Sequence, residues 1–280
     1  MSKLVKSQEH SFNNHLPVDI LSLGRGPKGM KALQTQLLEL WYLLRIEFKN
    51  IQESWVWSVI MISLFPLITI TFLSFFMVNP TEETMTRVIT GTMVFPIILM
   101  GMNTYAIELS LAKHNGHFVF YSSLPISKIN FVFAKLISGF LMTLPSVIIM
   151  TMLGQLMFGI TLNFSSIIVP IMILCIGCCV GLGMMLGFLS PNHQLTNLGS
   201  QSFMMLVSFL TPIMIPIEQL PKPLQFVSYA VPTTYVAESF HTLFTTGWDN
   251  SVGINIVILT AFFILFLVLV LWKMEWRVER

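Results

Sequence analysis

Residues 55–78 read Trp-Val-Trp-Ser-Val-Ile-Met-Ile-Ser-Leu-Phe-Pro-Leu-Ile-Thr-Ile-Thr-Phe-Leu-Ser-Phe-Phe-Met-Val, without one charged side chain. A helix needs roughly 20 apolar residues to cross about 30 Å of hydrocarbon, so this run predicts a membrane span. Five further runs follow: Val88 to Ile107, Leu136 to Phe158, Ile167 to Leu189, Leu198 to Ile217 and Val252 to Leu271. Composition agrees, because 54% of the chain is hydrophobic and only 10% charged, against about 25% charged in soluble domains. The chain opens with a polar segment rather than a basic start and an apolar core, so the first span is expected to act as its own uncleaved insertion signal.

Orientation follows from the cations, which accumulate in short cytoplasmic loops. Six spans put both ends on one side. If that side is the cytoplasm, the external loops hold only Arg87 and Lys222 of the 15 cations. The expected topology is therefore multi-pass in the cell membrane, with N- and C-termini cytoplasmic. The net charge of +2 is then a topology signal, and no nucleic-acid partner is expected.

The residues outside the spans divide further. Residues 1–36 read as a cytoplasmic tail. Within 37–53, Leu37, Trp41, Leu44, Phe48 and Ile51 recur at three and four to form an apolar stripe, with Glu39, Glu47, Asn50 and Glu53 elsewhere; this predicts an amphipathic helix in the headgroup plane. A transmembrane domain of 54–272 follows, then a cytoplasmic tail of 273–280. Gly24, Gly26 and Gly29 match G-x-G-x-x-G, but no βαβ unit surrounds them, which excludes a dinucleotide site.

Enzyme signatures are missing: no Walker A sequence, no HExxH, no GxSxG and no intramembrane pair of carboxylates. The spans hold almost no ionisable side chains, with Glu108 and Lys135 assigned to span ends where they can snorkel to water. Ion-coupled transport thus lacks its usual relay, and energy is expected from outside the chain. Cys175, Cys178 and Cys179 share the fourth span with no His or carboxylate, so they are read as packing residues. Gly177 with Gly181, and Gly183 with Gly187, predict close helix contact within the subunit or across a dimer. His114 and His117 have no third ligand, and no metal site is assigned.

Two connecting segments look like machinery. The loop 108–130 contains a short candidate helix, Phe118 to Leu124, turned by Gly116 and stopped by Pro125; it offers Phe118, Phe120 and Tyr121 to a protein partner. The alternative is a helix lying on lipid. The return 216–247, broken by Pro221, Pro223 and Pro232, is too polar to span and too apolar for a free loop. It predicts an external re-entrant helix pair between spans five and six. The expected fold class is an all-α membrane protein: an N-terminal interfacial amphipathic helix, six transmembrane helices and this external pair.

These features together resemble the permease, or transmembrane subunit, of ABC transporters of the ABC-2 type exporter family, over nearly the whole chain after about Leu37. Gly116, Leu124-Pro125-Ile126-Ser127 and Lys135 are similar to the family's coupling loop. Pro216-Ile-Glu-Gln-Leu-Pro221, Val231-Pro-Thr-Thr-Tyr235 and Glu238 are similar to its external motif. His114 and His117 stand where the family commonly places Glu and Thr, which assigns coupling to shape and apolar contact rather than to a salt bridge. Val231 and His241 depart from Asn and Arg.

The resemblance implies two permease subunits, identical or homologous, facing each other, with two ABC ATPase subunits docked beneath. ATP and Mg would sit on those partners and no cofactor on this chain. Gly116, Phe118, Phe120, Tyr121, Leu124 and Pro125 would couple to the ATPase. Phe65, Phe72, Met100, Met102, Phe203, Met204 and Met205 would line a substrate pathway between subunits. Pro216, Leu220, Pro221, Pro232, Tyr235 and Glu238 would form the external gate. The implied activity is outward movement of a hydrophobic or amphiphilic substrate such as a drug, peptide or lipid. The alternatives are polysaccharide or teichoic-acid export, or a membrane assembly or regulatory subunit that moves nothing.

Overall fold

The computed structural model describes residues 30–76, 81–116, 126–159, 165–210, 217 and 221–274, and its elements are all helical. The first, α1 (Met30–Phe76), joins what the sequence reading divides at residue 53: the amphipathic segment and the first span are one continuous helix. No glycine or proline stands between Met30 and Phe65, so nothing stops the first helix before the second begins. Along its N-terminal half the helix is dressed inside out. Leu37, Trp41 and Phe48 point away from the protein and are exposed, as a lipid-facing stripe requires, while Glu39 and Glu47 reach helix α4.

The second span is a composite rod from Glu83 to His114. Helix α2 (Glu82–Ile98) is capped by Thr81, whose hydroxyl accepts the amide of Thr84 at 3.3 Å. Pro96 lacks the N–H that its helix would use, and just beyond it the winding loosens into a π-helical turn, Leu99–Thr104, before α3 (Tyr105–His114) resumes. Such turns are frequent at functional sites. Helix α4 (Lys128–Phe158) ends at Gly159, whose φ of 66° is the left-handed cap that glycine adopts without strain.

Helix α5 (Ile168–Leu189) is the hub, packed against the π turn, α3, α4 and α9 (Asn250–Lys273). Its paired glycines serve two different neighbours. A β-carbon at Gly183 would collide with the carbonyl of Gly101 in the π turn, and one at Gly187 would come within 2.8 Å of the Ala106 carbonyl. Gly177 and Gly181 lie instead against Phe263 and Phe266 of α9. The close contacts are thus made within the subunit. Cys175, Cys178 and Cys179 are buried free thiols on the same helix.

Helix α6 (His193–Leu210) lies against the π turn and α3. Two shorter helices, α7 (Lys222–Tyr229) and α8 (Pro232–Thr245), precede α9. Among the described residues five helices are long and apolar enough to cross a membrane: Trp55–Phe72 of α1, Glu83–His114, Lys128–Phe158, Ile168–Leu189 and Asn250–Lys273. The run Leu198 to Ile217, expected as the fifth of six spans, is not among them. The first turns of α6 carry Gln194, Thr196, Asn197, Ser200 and Gln201, and residues 211–216 lie outside the described part.

Candidate functional site

Among the described residues, two ion pairs meet at Lys135, in the second turn of α4. Its side chain is 7% exposed, so it does not snorkel to water as the sequence reading assigned. Its Nζ lies 2.7 Å from the Glu47 carboxylate of α1 and also bonds the Glu108 carboxylate of α3. The rings of Tyr105 and Phe131 lie 5.7 and 5.8 Å from the same nitrogen. A buried cation is tolerated when it is paired and hydrogen-bonded, and here one cation answers two carboxylates. Burial raises the Glu47 carboxyl above the usual carboxylate range; Lys135 opposes that shift and the negative charge of Glu108 adds to it. Tyr105, Glu108, Leu109, Phe131, Lys135 and Met184 line a small cleft beside the charges.

This site stands between the two helices that flank residues 117–125, and the end of α3 and the start of α4 are each held by other helices. On the α3 side, Lys113 Nζ donates to the carbonyls of Phe188 at 2.9 Å and Ser190 at 3.5 Å, at the end of α5. On the α4 side, Lys128 Nζ donates to the carbonyl of Met274, the C-cap of α9. Asn130 donates to Glu39 of α1 at 2.9 Å, and the Ser127 amide to the same carboxylate at 3.4 Å. Gly116 has φ of 73° with open space where a β-carbon would stand, a left-handed conformation at the position the sequence reading gave to a turn. Phe118, Phe120, Tyr121, Leu124 and Pro125 lie outside the described residues.

The proposed pathway residues are split between two environments. Met100 and Met102 sit on the π turn and are buried in the core. Phe72 on α1 and Phe203 and Met205 on α6 face outward from the single chain, and Met204 packs partly against the core. The side chain of Phe65 lies outside the description. The sequence reading missed the polar seam that fastens α6 to its neighbours: Ser200 donates to Asn103 of the π turn at 2.8 Å, and Thr196 to the Ser110 hydroxyl of α3 at 2.7 Å. Ser63 of α1 likewise bonds Ser146 of α4 at 3.0 Å. The signal that could have found them is a polar residue recurring inside an apolar run.

Of the residues assigned to an external gate, Pro216 and Leu220 lie outside the description. Pro221 caps α7 and buried Pro232 opens α8, the helix position where a missing N–H costs nothing. Tyr235 donates to the Tyr229 carbonyl at 2.9 Å, and its ring lies 6.1 Å from that of Phe262 on α9. Thr234 donates to the Ser228 carbonyl at 2.6 Å. Glu238 is half-buried on the same helix. The α7–α8 turn is therefore a stitched unit, seated on the core through Val236, Phe240, Leu243 and Phe244. Beside it, burial holds the His241 imidazole below its ordinary value, with Arg87 acting in the same direction and Glu83 opposing. Arg87 and Glu108 stand on one rod, 21 residues apart, or roughly 32 Å at helical rise; the two polar ends are about one hydrocarbon thickness apart.

Comparison with curated proteins finds no match. A family model described as ABC-2 type transporter matches residues 38–245, from the exposed stripe of α1 to the end of α8.

Proposed function

From the chain's membership of the ABC-2 type transporter family, which the match over residues 38–245 establishes, we propose that it is the permease subunit of an ATP-driven exporter. Two permease subunits and two ABC ATPase subunits make the working complex, and ATP and Mg are held on the ATPases. The match carries this reading. It is supported by the order of the elements around residues 117–125, whose two flanking helices share one buried lysine. The chain spans the cell membrane six times, with Leu198–Ile217 as the fifth span and both termini in the cytoplasm, as the distribution of cations supports. Helices α7 and α8 then form the re-entrant pair on the external side.

The substrate is hydrophobic or amphiphilic. Phe72, Phe203 and Met205 offer soft apolar surface on α1 and α6, and Met adapts to irregular ligands. The test is to purify the full chain with whatever ATPase accompanies it, reconstitute it in liposomes and follow a lipophilic cationic dye and a labelled phospholipid. ATP-dependent outward movement of either is the expected result. ATPase stimulation by a polyol-phosphate or glycan carrier alone points to polymer export, and a complex that binds an ATPase and moves nothing points to an assembly role. Sustained ATP turnover by the chain without a partner overturns the proposal.

A further inference from the structure

We propose that Lys113 and Lys128 are positioning residues that carry displacement of the end of α3 and the start of α4 into the fourth and last spans, by holding the C-terminal carbonyls of α5 and α9. The inference rests on the coupling reading above and deepens it. Each lysine stands at one foot of residues 117–125, and each reaches far along the chain: Lys113 to Phe188 and Ser190, Lys128 to Met274. Ser190 and Met274 are the C-caps of α5 and α9, where carbonyls lack helical partners and the helix dipole favours a cation. An ammonium there satisfies orphan acceptors and fixes distance at once. Lys135 completes the set by tying α4 to α1 and α3. The two feet are thus linked to α1, α5 and α9, helices that are not their sequence neighbours, and a shift of either foot pulls on a different one.

Because each lysine has its own target, the test can read them separately. Hydrogen–deuterium exchange is measured on the full chain in nanodiscs with its copurified ATPase, with and without ATP plus vanadate. In the parent complex nucleotide alters exchange at residues 105–116 and 126–135, and also at 186–190 and 270–274. Lys128→Gln is expected to cut the response at 270–274 by about threefold and leave 186–190 unchanged, and Lys113→Gln to do the reverse, a size set by a cation at a helix C-terminus. Lys128→Arg and Lys113→Arg restore both responses, since Arg keeps the charge and the donors. Responses that survive in both Gln variants overturn the inference. So does loss of both responses in either single variant, which marks a general structural defect. A parent chain that copurifies with no ATPase, or whose residues 105–116 and 126–135 ignore nucleotide, fails at the coupling reading itself, and the inference falls with it.

Discussion

The two ends of the Glu83–His114 rod are held together in opposite ways. Around Lys135 the bonds join residues distant in sequence: Lys135 to Glu47 and Glu108, Asn130 to Glu39, Lys128 to Met274. Around α7 and α8 they are local, with Tyr235 reaching back to Tyr229 and Thr234 to Ser228, each six residues away. The first end is a node of charges shared by several helices, and the second is a folded turn that rests on apolar packing. The node's bonds tie α4 to α1, α3 and α9, whereas the α7–α8 turn is tied within itself and rests on an apolar seat. The contrast fits the roles proposed above, coupling at the first end and an external gate at the second.

The sharpest way to break this contrast is to remove the node's cation. Lys135→Met leaves Glu47 and Glu108 facing each other, one of them buried, and a broken buried pair costs about 3–5 kcal/mol. A large fall in the melting temperature of the detergent-solubilised chain is expected. Adding Glu47→Gln should recover much of it, and a melting temperature unmoved by Lys135→Met would show that the node carries no stability. At the other end Phe240→Ala should cost about 3 kcal/mol, because Phe240 is fully buried and its removal leaves a cavity. The same melting measurement applies, and here no charge substitution should rescue it.

Smaller effects separate the ends more finely. Tyr235→Phe removes one hydroxyl–carbonyl bond at a partly exposed site and should cost about 1 kcal/mol, read as a modest shift in melting with the fold retained. The two ends should also answer pH with opposite slopes. Glu47 has a raised carboxyl, so the folded chain holds its proton more tightly than the unfolded chain, and stability falls as pH rises from 4.5 through the folded value. His241 has a lowered imidazole, so the unfolded chain binds the proton more tightly, and stability falls as pH drops from 6.5 toward the folded value. Melting across this range with Glu47→Gln and His241→Gln should remove one slope each. Slopes unchanged in both variants would show that neither group reports on its end.

Much of this architecture was legible beforehand because it depends on local properties. The runs of apolar residues marked the long helices, Gly116 and Pro232 marked turns, and the four-residue spacing of Gly177, Gly181, Gly183 and Gly187 marked a helix that neighbours approach closely. The boundary drawn at residue 53 falls inside one continuous helix, since a change from amphipathic to wholly apolar pattern alters what a helix faces without altering its backbone. The π turn at Leu99–Thr104 was invisible for a related reason: Pro96 signals a disturbance, and the approach of α5 at Gly101 belongs to the packed state.

The candidate site divides along the same line. Lys135 could be picked out as a cation at a span's edge, and only the fold brings Glu47 to it, across 88 residues of chain. The sequence by itself determined which segments can cross a bilayer, because hydrocarbon is a uniform solvent and the cost of crossing it is summed residue by residue along one helix. Tertiary structure alone decided which polar groups meet, since a buried charge is tolerable only beside a particular partner, and partnership is set by how the helices pack.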